Sequence, residues 1–271
     1  MLPLVEFPPD QRAAVRCLFA DIDDTLTTDG LIPAVAFSSL WQARTAGLDV
    51  VLVTGRPAGW VDHIARQWPV RAVIGENGGF WFQMEHSDSG RVMKKHFLYN
   101  EAERREFRQR LELIRRELLA EVPGCAIATD QNYREYDLAI DFCEDVEQLP
   151  RDQVLRIREI FQRHGAHAKI SSIHVNGWYG DFDKVTTTDL FITEELGLKL
   201  AEDNNSFAFV GDSPNDEPLF QSINNSIGVA NIMELTDLMD FLPRYITSQK
   251  GGEGFAELVT ALIEARPVDG S

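Results

Sequence analysis

The chain has 271 residues, 44% hydrophobic and 25% charged, which supplies an ordinary globular core, and no apolar run reaches the roughly 18–20 residues of a membrane span. A formal net charge of −17 argues against a nucleic-acid backbone as partner, although cations gathered in a cleft can still receive a small anion. Cys17, Cys125 and Cys143 are odd in number and widely spaced, which fits buried thiols rather than a disulfide or zinc framework, and the N-terminus lacks a secretory pattern, so the expected location is the cytoplasm.

In chain order, "VRCLFA" (15–20), "DVVLV" (49–53) and "RAVIG" (71–75) predict strands buried on both faces. Helices fit between them, over "AVAFSSLWQARTAG" and "GWVDHIARQW". The middle of the chain changes character. "EAERREFRQRLELIRRELLAE" (101–121) is an amphipathic helix with Phe107, Leu111, Ile114 and Leu118 on one face; its Arg104, Arg105, Arg108 and Arg115 read as a solvated face. "YDLAIDF" (136–142) predicts a strand, "RDQVLRIREIFQRHG" (151–165) a helix, and "AKISSIHVNGW" (168–178) one further strand. Strands resume at "SFAFVGD" (206–212), "NSIGVA" (225–230) and "RYITS" (244–248), and Phe255, Leu258, Val259, Leu262 and Ile263 mark a closing helix. The expected fold is α/β: a doubly wound parallel-sheet core over 1–82 and 180–271, interrupted by an α+β cap over 83–179. Glycines in "GENGGF" and "NGWYGDFD" suit the two crossings.

The polar signals fall where strands end or helices begin. Asp21, Asp23 and Asp24 crowd the end of the first strand in "DIDDTLT", and Asp212, Asn215 and Asp216 follow a later one in "GDSPND". At about 4 Å two like charges repel by roughly 4 kcal/mol at an effective dielectric near 20, so crowded carboxylates call for a cation. Taken singly, such an Asp is a turn former or helix cap. Two acidic clusters at two strand ends suit a hard, oxygen-seeking ion, with magnesium the natural choice beside a phosphoryl group.

"DIDDTLT", "VTGR", a downstream "DK" and "GDSPND" resemble, in order, the four motifs of the haloacid dehalogenase superfamily phosphatases. The cap's position resembles subfamily IIB, which includes Cof-type sugar phosphatases, sucrose-phosphatase and mannosyl-3-phosphoglycerate phosphatase. The resemblance implies a Mg²⁺-dependent phosphomonoester hydrolase of a small phosphorylated sugar or related metabolite. In it Asp21 is the nucleophile and a metal ligand, and Asp23 the general acid and base, ligating through its carbonyl. Thr54 and Gly55 hold phosphoryl oxygens, Lys184 neutralises Asp21 and the transferring group, Asp212 completes the metal site, and Asn215 and Asp216 orient ligands or bound water. Arg56 is a candidate phosphate contact, and Asn77, His174 and Asn176 are candidate sugar contacts near the crossings. Val185 stands where Cof-type relatives carry glycine, and "NGWYGDFDK" resembles the lysine segment of phosphomannomutases. A phosphomutase is therefore the alternative, and a phosphorylation-switched signalling domain a more distant one.

Overall fold

The computed structural model describes residues 1–87, 90–171 and 173–266. In chain order it runs β1 (Leu2–Pro3), α1 (Pro9–Ala14), β2 (Cys17–Ala20), α2 (Ala34–Thr45), β3 (Asp49–Val53), α3 (Ala58–Gln67), β4 (Ala72–Gly75), β5 (Phe80–Ser87) and β6 (Gly90–Phe97). There follow α4 (Glu101–Glu121), β7 (Ala126–Ile127), β8 (Leu138–Asp141), α5 (Arg151–Arg163), β9 (His167–Ile170) and β10 (His174–Trp178). The chain ends with α6 (Lys184–Phe191), α7 (Leu200–Asp203), β11 (Phe207–Gly211), α8 (Glu217–Ser222), β12 (Asn225–Gly228), β13 (Tyr245–Ile246) and α9 (Gly251–Glu264).

Nine strands form the large sheet in the order β1-β13-β12-β11-β2-β3-β4-β5-β6, parallel from β1 through β4 and antiparallel beyond. Because strand side chains alternate, Leu18, Val50, Leu52, Val73 and Ala208 meet α2, α3 and α9 on one face. Their neighbours Cys17, Phe19, Val51, Val53 and Phe209 meet α6 and α8 on the other. This two-sided burial is why the strands read as unbroken apolar runs. The winding reverses between β2 and β11, and the crevice outside their carboxyl ends is where such a sheet receives ligands.

A second, four-stranded antiparallel sheet, β7-β8-β10-β9, packs Leu138, Ile140 and Val175 against Leu111, Ile114 and Leu118 of α4 and Ile157 and Phe161 of α5. The hairpin β5–β6 pairs antiparallel with β4, so main-chain hydrogen bonds continue the large sheet as far as Phe97. The run 168–178 is two strands joined by a turn, with Val175 paired to Ile170, because Ser171 closes the reversal through its bonds to His174. Arg104 also departs from the solvated reading: it is buried, its guanidinium lies 3.8 Å from the Phe97 ring centre, and it pairs with Glu101 and Glu135. Cys17 is buried as expected, whereas Cys125 and Cys143 are half-buried. Among the described residues, no helix is long and apolar enough to cross a membrane.

Candidate active site

Asp21 and Asp212 are the first residues beyond two adjacent parallel strands, β2 and β11, and the amide of Asp21 donates to the Val210 carbonyl at 3.0 Å. Lys184 opens α6, whose start is fixed by the Asp183 carboxylate accepting from the Thr186 amide at 2.7 Å. The cap aims Lys184 at the strand ends, where its Nζ donates to Asp21 Oδ1 at 2.8 Å and to Asp216 Oδ1 at 2.9 Å. Burial works against the lysine's charge, but Asp21 and Asp216 outweigh it and hold its pKa above the ordinary value.

Asp21, Asp212 and Asp216 are all buried, and one carboxylate oxygen of each lies within 4.8 Å of the others. Burial pushes Asp21 and Asp212 upward, each carboxylate adding to the effect on its neighbours. The donor chemistry fits a hard divalent cation, whose charge would offset that repulsion. The three do not contribute alike. Asp216 already accepts from Lys184 and, through Oδ2, from the Asp212 amide at 3.1 Å, so it stands behind the pair and orients it. Gly211 is required there, since a Cβ would lie 2.5 Å from Asp216 Oδ2. Asp212 Oδ1 accepts from the buried Thr25 hydroxyl at 2.9 Å, which fixes the carboxylate's rotation.

The second strand end forms the facing rim. The Thr54 hydroxyl accepts from the Arg56 amide at 3.0 Å and shapes the turn that presents Gly55. Arg56 grips Asp23 with Nη2 at 2.7 Å and Nε at 3.1 Å, lies 4.5 Å from the Trp60 ring centre, and reaches Glu144, in the loop after β8, at 3.5 Å. Strand alternation turns Val175 toward the helices and His174 and Asn176 toward the crevice. His174 Nε2 lies 2.9 Å from Glu144 Oε2 without hydrogen-bond alignment, and Asn176 donates to Asp137 at 2.7 Å.

Asp21, Asp23, Gly55, Arg56, Asn77, His174, Asn176, Asp212 and Asn215 line one cavity of about 30 Å³ between the two sheets, room for about two waters. Thr54, Lys184 and Asp216 lie behind its wall, acting on it through Arg56, Asp21 and Asp212.

Sequence reasoning missed three supports. Glu76, wholly buried with φ of 45°, accepts from the Ala58 amide at 3.0 Å and from the Glu135, Tyr136 and Asp137 amides at 2.6–3.2 Å. It thereby ties the loop before β8 to the start of α3, beside the turn from 54 to 56. Burial and Asp137 push its carboxyl up, while Arg134 and the amides pull the other way. Arg134, also buried, donates to the Gly55 carbonyl at 3.1 Å and pairs with Asp130 and Asp137. Thr25 is the third. Glu76 lies within "GENGGF", where two successive left-handed residues, Glu76 and Asn77, were the available sign of a built turn.

Residues 18–114 match the model of a family described as haloacid dehalogenase-like hydrolase. No curated protein matches the chain in sequence. Among solved structures, one from Thermoplasma acidophilum is 22% identical over 93% of this chain and 99% of its own, with a TM-score of 0.70. The sucrose-phosphatase of Synechocystis, solved with sucrose and phosphate, is 14% identical over 91% of this chain and 97% of its own, with a TM-score of 0.61. A haloacid dehalogenase-like hydrolase of B. subtilis is 14% identical over 91% and 99%, with a TM-score of 0.62. At such identities the shared feature is the fold, while the family match itself spans Asp21, Asp23, Thr54, Gly55 and Arg56.

Proposed function

We propose that this chain, a haloacid dehalogenase-like hydrolase in its fold and in the segment 18–114, is a magnesium-dependent phosphatase of a small phosphorylated metabolite, a sugar phosphate by preference, acting through an aspartyl-phosphate. One observation carries the reading: at adjacent strand ends Asp21 is held 2.8 Å from a buried Lys184, beside Asp212 and Asp216. The named neighbour that acts on a sugar phosphate shares the fold and supports the substrate class. Asp21 and Asp212 would hold Mg²⁺, which when bound supplies charge to phosphoryl oxygens.

Asp21 attacks phosphorus as the bond to the leaving oxygen breaks. Lys184 fixes the nucleophile and offsets negative charge spread over the transferring oxygens, aided by the Gly55 amide. Asp23 gives a proton to the departing alkoxide; in the second half it accepts one from the water that displaces phosphate from Asp21. In the present geometry Arg56 occupies Asp23. Transfer of that guanidinium to the phosphoryl oxygens on binding would free Asp23 to take a proton from solvent, the proton it then gives to the leaving alkoxide.

Asp21→Asn should reduce phosphate release from sugar phosphates or p-nitrophenyl phosphate at least a thousandfold while the protein stays folded. Unaltered turnover would overturn the assignment, and an isomeric sugar phosphate in place of free phosphate would decide for a mutase.

A further inference from the structure

The catalytic cavity opens into a much larger groove of about 1040 Å³, and Lys169, Ser171, Asp212, Ser213 and Asn215 line both. One wall of the groove is cap and the other is core. The cap wall comes from α5 and from β9, the edge strand of the four-stranded sheet. Arg151, Leu155, Arg158 and Gln162 follow one another by steps of four, three and four residues, which sets them along a single stripe of α5. At 1.5 Å rise per residue the two arginines stand about 10 Å apart along the helix. Lys169 pairs across the sheet with Asn176 and so shares the face turned to the catalytic cavity.

In the groove the cap wall contributes Arg151, Arg158 and Lys169 and no carboxylate, while Asp24, Asp29, Asp212 and Glu234 belong to the core wall together with Lys250, which pairs with Glu234. Arg151, Arg158 and Lys169 form no ion pair among the described residues, whereas Arg156 and Arg163 on the same helix pair with Glu121 and Glu117 of α4. Arg158 Nε is buried and lacks a hydrogen-bond partner among them. A buried donor left unmet costs about 1–3 kcal/mol, so an unpaired guanidinium beside a groove is a group awaiting an acceptor. Phe142, Leu149, Val154 and Ile170 also line the groove, apolar surface suited to a carbon skeleton rather than to bulk water.

We propose that the groove receives the leaving alcohol, and that this alcohol carries a second acidic group, a carboxylate or a further phosphate, which meets Arg158 and Arg151. The inference rests on the phosphatase reading and narrows its substrate class. The phosphoryl group sits at Asp21, the skeleton passes Lys169 into the groove, and the distal anion neutralises the stripe on α5. A neutral sugar of the same size would leave the stripe unpaired.

The test compares matched phosphomonoesters. 6-Phosphogluconate is set against sorbitol 6-phosphate for a carboxylate, and fructose 1,6-bisphosphate against fructose 6-phosphate for a second phosphate, with p-nitrophenyl phosphate as reference. At least one acidic member should exceed its neutral counterpart tenfold or more in kcat/KM, and the pair that does so tells carboxylate from phosphate. Arg151→Gln together with Arg158→Gln, both on a helix surface, should reduce that preference about tenfold, mainly through KM for the acidic member. Hydrolysis of the neutral members equal to or faster than the acidic ones, or a preference untouched by the double substitution, overturns the inference and leaves the phosphatase reading standing. Release of phosphate from none of the five overturns both.

Discussion

Replacing Glu76 by glutamine removes one oxygen acceptor from a site where every partner is a donor. Oε1 takes the amides of Ala58 and Glu135 at 3.0 and 2.9 Å; Oε2 takes those of Glu135, Tyr136 and Asp137 at 3.0, 2.6 and 3.2 Å. In its better orientation glutamine keeps the Oε2 partners and turns its NH₂ toward the Ala58 amide, leaving donor against donor. One unmet buried donor costs about 1–3 kcal/mol. At roughly 2–4 °C per kcal/mol for a chain of this size, Glu76→Gln should melt some 4–8 °C early for a loss near 2 kcal/mol. Glu76→Ala, which orphans all four amides, should lose about 4 kcal/mol or more. Urea unfolding gives the free energies, and hydrogen exchange at 135–137 locates them: protection there should fall more than in β8. A glutamine variant within about 0.5 kcal/mol of the parent, with exchange at those amides unchanged, would refute the account of Glu76 as the tie between the two sheets.

Thr25→Val removes the hydroxyl that fixes Asp212 and should raise the Mg²⁺ concentration for half-maximal phosphate release about tenfold, read by metal titration after chelation. Gly211→Ala drives a methyl against Asp216 and should lower kcat by two orders of magnitude or more with a smaller change in KM, because Lys184 loses its second anchor. Burial, with Arg134 adding to it, holds His174 below its usual 6.5. The folded chain then binds fewer protons than the unfolded chain just below that pH, so stability falls as pH drops through 6.5; His174→Gln should flatten this limb of urea midpoint against pH.

The parallel core was legible because its strands are buried on both faces and punctuated by polar ends: the residues immediately after Ala20, Val53 and Gly211 are the ones that converge. Asp21 and Asp212 could be brought together from strand order, since a doubly wound sheet gathers its ligands at one crevice, whereas Lys184 joined them only through the family resemblance. What remained hidden depended on partners distant in the chain. Nothing local to Arg104 says that it stacks on Phe97, and nothing in "GENGG" says that its glutamate accepts amides some sixty residues on. The β5–β6 hairpin was hidden for another reason: its outer strand, exposed over most of its length, lacks the apolar run that marked the others. The Thr54 hydroxyl accepts from the Arg56 amide, a turn contact that residue type alone does not announce.

The contacts that keep the two sheets together are the same ones that shape the catalytic rim: Glu76 to residues 135–137, Arg134 to the Gly55 carbonyl, Glu144 to Arg56. Parting the layers would release the Gly55 carbonyl from Arg134, Arg56 from Glu144 and the amides of 135–137 from Glu76 together. The placement of the upper layer and the shape of the turn from 54 to 56 are therefore one property rather than two.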